Sequence, residues 1–207
     1  MNNKPVSVVK TTTLVILSFA TVSAALLFMT KVVTKDRIEL NRKLTLLKSF
    51  NQLLAADEYD NDLVADVISI KPAPIFDDKQ PVANLARKNA KITTVFLRPV
   101  AREGYSGKIH LLLAVKRDKS LFGVRVLRHK ETPGLGDNIE IRKSAWIKIF
   151  KEKSLHNPYK NNWKVKKDGG KFDQLTGATI TPRAIVKTVK NTLLYVEQNY
   201  HELFDDK

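Results

Sequence analysis

The sequence predicts an α+β protein: a single N-terminal transmembrane helix, then one domain with a twisted, mainly antiparallel sheet and packed helices. Three observations predict it. Between Lys10 and Lys31 lie 20 residues without a charge, rich in Leu, Val, Ala and Phe. Three later runs, Ile92 to Leu97, Ile109 to Val115 and Leu121 to Leu127, are rich in β-branched and apolar residues. Near the C-terminus Ile185, Val186, Val189, Leu193 and Val196 recur at helical spacing.

The uncharged stretch, at about 1.5 Å per residue, reaches about 30 Å, the thickness of a bilayer core. Val22-Ser23-Ala24 loosely resembles a signal-peptide cleavage site, but the apolar run continues through Leu26, Leu27, Phe28 and Met29, longer than a usual h-region, so a retained anchor is expected. Next, Ile38, Leu40, Leu44, Leu47 and Leu54 recur among charged residues and predict a membrane-proximal helix that the acidic segment Asp57 to Asp62 ends. Leu63 to Ile70 is strand-like, and Lys71-Pro72-Ala73-Pro74 breaks regular structure. Asp118-Lys119-Ser120 suits a hairpin turn between the last two strands. Lys143 to Phe150 reads as a short helix presenting Trp146 and Phe150, and Pro182 to Phe204 as a longer terminal one. These elements give residues 1–10 as a tail, 11–33 as the anchor, 34–90 as membrane-proximal helix and connector, and 91–207 as the functional domain.

The segment most informative about chemistry is Asp173-Gln174-Leu175-Thr176-Gly177-Ala178-Thr179, followed by Ile180-Thr181-Pro182. Gly177 and Ala178 carry almost no side chain, so a large group can approach the backbone and leave Thr179 sterically open. Thr181 suits an N-cap and Pro182 a first helical position. A helix beginning beside Thr179 turns free N–H groups and the positive end of its dipole toward an anion such as a phosphate. The tetrapeptide alone is equally compatible with a plain turn leading into a capped helix. A second loop, Glu131-Thr132-Pro133-Gly134-Leu135-Gly136, combines a fixed φ at Pro133 with freely turning glycines, so it can project Leu135 from a tight loop. Without further information that loop reads first as a structural turn.

The string Asp-x-x-Thr-Gly-Ala-Thr resembles the flavinylation motif of proteins that carry FMN in phosphoester linkage to the last threonine. Gly104-Tyr105-Ser106-Gly107-Lys108-Ile109 and Gly123-Val124-Arg125-Val126-Leu127, leading into His129-Lys130-Glu131-Thr132-Pro133-Gly134-Leu135-Gly136-Asp137, extend the resemblance upstream. With the N-terminal membrane segment these blocks are similar to the G subunits of the Rnf (also called Rsx) ion-translocating electron-transport complexes, and more distantly to the C subunit of the sodium-pumping quinone reductase.

The resemblance implies that 91–207 is an FMN-binding domain, with FMN attached to Thr179 by a separate flavin transferase that uses FAD as donor. It makes Thr176, Gly177, Ala178, Asp173, Glu131, Thr132, Pro133, Gly134, Leu135 and Gly136 candidate cofactor-binding residues, and His129 a weaker one. It implies a subunit that relays electrons within an ion-translocating oxidoreductase of the bacterial inner membrane, with the other complex subunits as partners and no turnover alone. A scaffold protein of the membrane without redox role is the alternative. The basic residues Lys31, Lys35, Arg37, Arg42 and Lys43 after the span place the domain in the cytoplasm by the positive-inside rule. The resemblance implies the periplasmic side, with other membrane subunits fixing the topology, and that is the expectation carried forward.

Composition limits other chemistries. With no cysteine, the chain itself offers no thiolate-held iron–sulfur cluster, c-type haem attachment or disulfide. His110, His129, His156 and His201 show no metal-ligand spacing, so no metal site is expected. No catalytic residue is expected either. Trp146 and Trp163 suit core or surface anchoring better than flavin stacking. The formal charge of +15 would admit nucleic-acid binding, but the charges are scattered and no recognition motif accompanies them. A basic domain beside a membrane more simply meets anionic headgroups or acidic subunits, and no nucleic-acid partner is expected.

Overall fold

The computed structural model describes residues 4–205, with side chains from residue 8 onward. It divides into two compact units, Met1–Thr45 and Leu46–Lys207. Most of the first unit belongs to helix α1, Lys4–Asn51. Every residue from Val8 to Val33 is exposed, the apolar ones included, with Phe19 at 76% and Leu27 at 73%. Several hydroxyls within this stretch are satisfied inside the helix: Thr12 donates to the carbonyl of Val8, Thr21 to that of Leu17 and Thr30 to that of Leu26, at 2.7 to 2.9 Å. That is how a polar side chain avoids an unpaired donor in lipid. The segments expected as anchor and membrane-proximal helix form one uninterrupted α-helix, which ends at Asn51, ahead of the acidic segment expected to end it. A tight turn closes it, Leu53 N–H donating to Phe50 at 2.8 Å, and carries Leu54 into the core of the second unit.

The second unit is built on six antiparallel strands: β1 Val67–Ser69, β2 Val82–Lys88, β3 Lys91–Leu97, β4 Val100–Gly104, β5 Gly107–Lys116 and β6 Leu121–Arg128. β5 is the central strand. β3 pairs along its second half, β4 along its first half on the same side, and β6 on its other side. Side chains alternate along β5, so Leu111, Leu113 and Val115 enter the larger core while Leu112 and Ala114 enter a second core with Phe50, Leu54 and Phe96. Helix α2, Ile180–Gln198, contributes Ile185, Val189 and Val196 to the larger core, and α3, Tyr200–Phe204, closes it with Leu203 and Phe204.

The three strands expected from residue 92 onward are present, and so is the turn at Asp118, whose Oδ1 accepts the Ser120 N–H at 2.9 Å. β1 is shorter than the strand expected over 63–70, because Asp62 Oδ1 accepts the N–H of Val64 and holds a turn there. β2 and β4 were not expected. β2 reads Val-Ala-Asn-Leu-Ala-Arg-Lys, poor in strand formers, and is made by a two-residue hairpin whose Asn89 and Ala90 both have positive φ, 51° and 64°. Strand pairing therefore crosses the boundary drawn after residue 90. The helix expected over 143–150 is a shorter 3-10 helix, Trp146–Phe150, its Phe150 ring 5.3 Å from that of Phe172. The terminal helix is interrupted at Asn199.

Candidate functional site

The Glu131 loop and the Thr179 segment form two walls of one cavity of about 280 Å³. Each wall is a tight turn of the same kind. In the first, Leu135 N–H donates to Thr132 at 3.2 Å, with Pro133 at the second position and Gly134 at the third, φ 79°. In the other, Ala178 N–H donates to Leu175 at 3.1 Å, with Gly177 third at φ 76°. A positive φ after a negative one is the type II pattern, which glycine adopts at no steric cost. The turns meet where Gly177 has no side chain: a Cβ there would lie 3.1 Å from Leu135 Cδ2.

Thr179 lies between the second turn and α2. It is the residue before the first helical one, its carbonyl accepts the Arg183 N–H at 3.2 Å, and its side chain makes no capping hydrogen bond. The cavity is lined by Thr179, Ala178 and Gly177 on one side and by Glu131, Thr132, Leu135 and Gly136 on the other. Thus seven of the residues singled out in the sequence share one cavity. Thr176, Pro133 and Gly134 are exposed on the turns outside its lining. Asp173 points elsewhere, its carboxylate 2.5 Å from Lys166 Nζ, while its carbonyl accepts Trp146 Nε1–H at 2.7 Å.

The helix start differs from the sequence expectation in one consequential way. α2 begins at Ile180, so Thr181 is not its cap and Pro182 is its third residue rather than its first. Pro182 still fits, because N–H groups of the first turn have no intrahelical acceptor. The Thr181 side chain is fully buried and donates to Glu131 Oε2. Glu131 Oε1 accepts the N–H of Ser106 at 3.0 Å, so one carboxylate ties together the β4–β5 turn, its own loop and the start of α2.

Tyr105, on that β4–β5 turn, lines the cavity with Ile180 and Thr181, and sequence reasoning missed all three as site residues. The Gly-Tyr-Ser-Gly block held the available signal for Tyr105. The pairing of Thr181 with a carboxylate 50 positions away had none.

His129 is outside the lining and supports the loop from behind. Its Nδ1 accepts the Glu131 N–H at 3.0 Å, which leaves Nε2 to donate to Glu140 Oε1 at 3.0 Å. Arg142 and His129 together hold the Glu140 carboxyl down at about 2. Neighbouring Asp137 is buried against Lys143, which lowers its carboxyl and is itself raised. This polar cluster fixes the outer edge of the Pro133–Gly134 turn.

A small-residue cleft with a helix start at one end and apolar Leu135, Tyr105 and Ile180 around it suits a flat ring bearing a phosphate. Comparison with known proteins agrees. A model of the FMN-binding domain matches residues 104–194, spanning both turns, and a model of the RnfG N-terminal region matches residues 1–53. The G subunit of the ion-translocating oxidoreductase complex of Vibrio atlanticus (strain LGP32) is 40% identical over 195 residues, 94% of this chain and 93% of that protein. Its counterparts in Vibrio vulnificus (strain YJ016) and Shewanella loihica are 39% and 40% identical over 187 and 200 residues, covering 90% and 96% of this chain and 89% and 94% of theirs. The chain therefore belongs to the family of G subunits of ion-translocating oxidoreductase complexes.

Proposed function

We propose that this chain is a single-pass inner-membrane subunit that carries FMN in phosphoester linkage to Thr179 and relays electrons between other carriers of its complex, whose electron flow drives ion movement. The observation that carries the reading is the position of Thr179: in the wall of the cavity, at the start of a 19-residue helix, with no capping bond engaging its hydroxyl. Free first-turn N–H groups and the positive end of the helix dipole favour a phosphate at that place.

Attachment requires the Thr179 oxygen to form a bond to the FMN phosphorus of FAD while the pyrophosphate P–O bond breaks, AMP leaves and the hydroxyl proton passes to a base. No general base accompanies Thr179 among the lining residues except Glu131, whose two oxygens are already engaged. A separate flavin transferase supplies that chemistry. Once bound, the flavin ring supplies one- and two-electron chemistry. Leu135, Tyr105 and Ile180 offer it apolar contact, and Gly177 and Ala178 let it approach the backbone. Covalent linkage keeps it there without an affinity requirement.

Membership of this family, rather than the charge beside the span, supports a domain on the periplasmic side. Because the chain has no cysteine, a single Tyr159→Cys substitution at an exposed position gives a clean probe. Labelling by a membrane-impermeant maleimide in intact spheroplasts is expected, and labelling only after lysis would place the domain in the cytoplasm.

The central test is co-expression with a flavin transferase, followed by denaturation, intact mass and in-gel flavin fluorescence of wild type and Thr179→Ala. An FMN adduct on wild type that disappears in the variant is the expected result. An unmodified wild type in the presence of active transferase would favour a scaffold role.

A further inference from the structure

The carboxylate of Glu131 stands out once the cavity is read as a flavin site. It is 4% exposed and lines the cavity, yet among the described residues it forms no ion pair. Its partners are neutral donors only, the Ser106 N–H and the Thr181 hydroxyl. The backbone closes around it at two glycines: a Cβ on Gly104 would come within 2.9 Å of Oε1, and one on Gly136 within 3.0 Å of Oε2. A buried carboxylate held only by neutral groups is costly, and the charge it keeps is poorly screened. Glutamine has the same shape and could meet both donors by rotating the Thr181 hydroxyl, so packing alone does not account for a charge here.

We infer, on the reading that FMN is held in this cavity, that Glu131 is the fixed negative charge that sets the reduction potential of the bound flavin, holding it lower than the same pocket would without that charge. At pH 8 reduction adds two electrons and a single proton to the ring, so the reduced ring is one unit more negative than the oxidised one. A nearby immobile anion in a site of low effective dielectric opposes that gain. Thr181 moderates the effect, because its donated hydrogen bond draws part of the charge away from the cavity. The loop and helix start are thus positioned by the same group that biases the electron equilibrium.

The test uses full-length protein in detergent, loaded with FMN by a flavin transferase, with the adduct confirmed by intact mass. An electrode with soluble mediators supplies electrons at pH 8, where carboxylates are ionised. Glu131→Gln is expected to favour the reduced flavin by about tenfold, a rise in midpoint of about 30 mV for a two-electron couple. Thr181→Val keeps the charge but removes its donor, and is expected to lower the midpoint. Opposite signs are the signature of charge, since a loosened pocket would move both variants the same way. An unmoved midpoint in flavinylated Glu131→Gln, or shifts of the same sign in both variants, overturns the inference while leaving the proposed function standing. If Glu131→Gln is not flavinylated, Thr181→Val decides alone, a lowered midpoint supporting the inference and an unchanged or raised one overturning it. Failure of wild type to acquire FMN from active transferase removes the functional reading and this inference together.

Discussion

α1 and α2 are both rich in apolar residues, and the surroundings of those residues could hardly differ more. Along α1 they cover every side of the helix, and those from Val8 to Val33 are all exposed. Along α2 they form one face, with Ile185, Val189 and Val196 fully buried, while Arg183 and Lys187 face outward to Asp168 and Glu103. A helix that is apolar all round needs a solvent that is itself apolar, whereas one apolar stripe needs only a sheet to lie on. Apolar content alone does not separate an anchor from a core helix. Its distribution does.

A charge placed on each helix tests that distinction most forcefully. Val189→Asp buries a carboxylate in the larger core with no partner, so a loss of about 4 kcal/mol or more is expected, enough to abolish cooperative folding of the domain. Leu17→Asp, on an exposed position of α1, should leave the domain's melting in detergent unchanged. Its cost falls on insertion, about 3 kcal/mol for Asp near the centre of a span. Near-UV circular dichroism melts and alkaline extraction of membranes read the two effects separately. A Leu17→Asp variant that melts early would mean that α1 is packed against protein rather than lipid.

Charge pairs sharpen the same contrast. Glu39 and Lys43 on α1 are 3.6 Å apart with side chains about 60% exposed, a pair worth little. Glu140 is 19% exposed and bonded to Arg142 and His129, with its carboxyl lowered from 4.5 to about 2. A group whose folded pKa is depressed contributes stability that is present above the unfolded value and lost as pH falls toward the folded one. The loss should therefore run from about pH 4.5 down to about 2 and total at most about 3 kcal/mol. Denaturant midpoints measured from pH 7 to 3 should fall less steeply for Glu140→Gln than for wild type, while Glu39→Gln should follow wild type throughout.

Much of this architecture was legible because it rests on periodicity and small residues. The uncharged span, the strands β3, β5 and β6 and the apolar face of α2 each follow from residues close together in sequence. So did the two cavity turns, since Pro133-Gly134 and Thr176-Gly177 carry the residues that a type II turn requires. What was not legible depends on partners far along the chain. β2 is a strand because β3 pairs with it, and β4 because Pro99 hands the edge of β5 from one strand to the next, its carbonyl accepting the Leu111 N–H at 2.9 Å. Thr181 read as a cap because Ser and Thr usually are caps before proline. The buried Glu131 offered its hydroxyl a stronger acceptor, and the helix began two residues earlier.

The threonines carry the comparison down to its smallest effects. Thr21 in α1 satisfies its hydroxyl on the carbonyl of Leu17, one turn away, so Thr21→Val removes donor and need together and should change nothing measurable. Thr181 satisfies a buried carboxylate instead, and Thr181→Val should cost about 1–3 kcal/mol because Glu131 is left one donor short. Thr179 resembles neither. It occupies the cap position of α2 without making the cap bond, so Thr179→Ala should shift the domain's stability by no more than about 0.5 kcal/mol, below the usual cost of losing a cap. A hydroxyl at a helix start that contributes nothing to folding is available for something else. Equal melting curves for wild type and Thr179→Ala, with flavin on the first alone, would assign that hydroxyl to chemistry, whereas a loss of about 1 kcal/mol or more before any flavin is attached would show that it caps the helix after all.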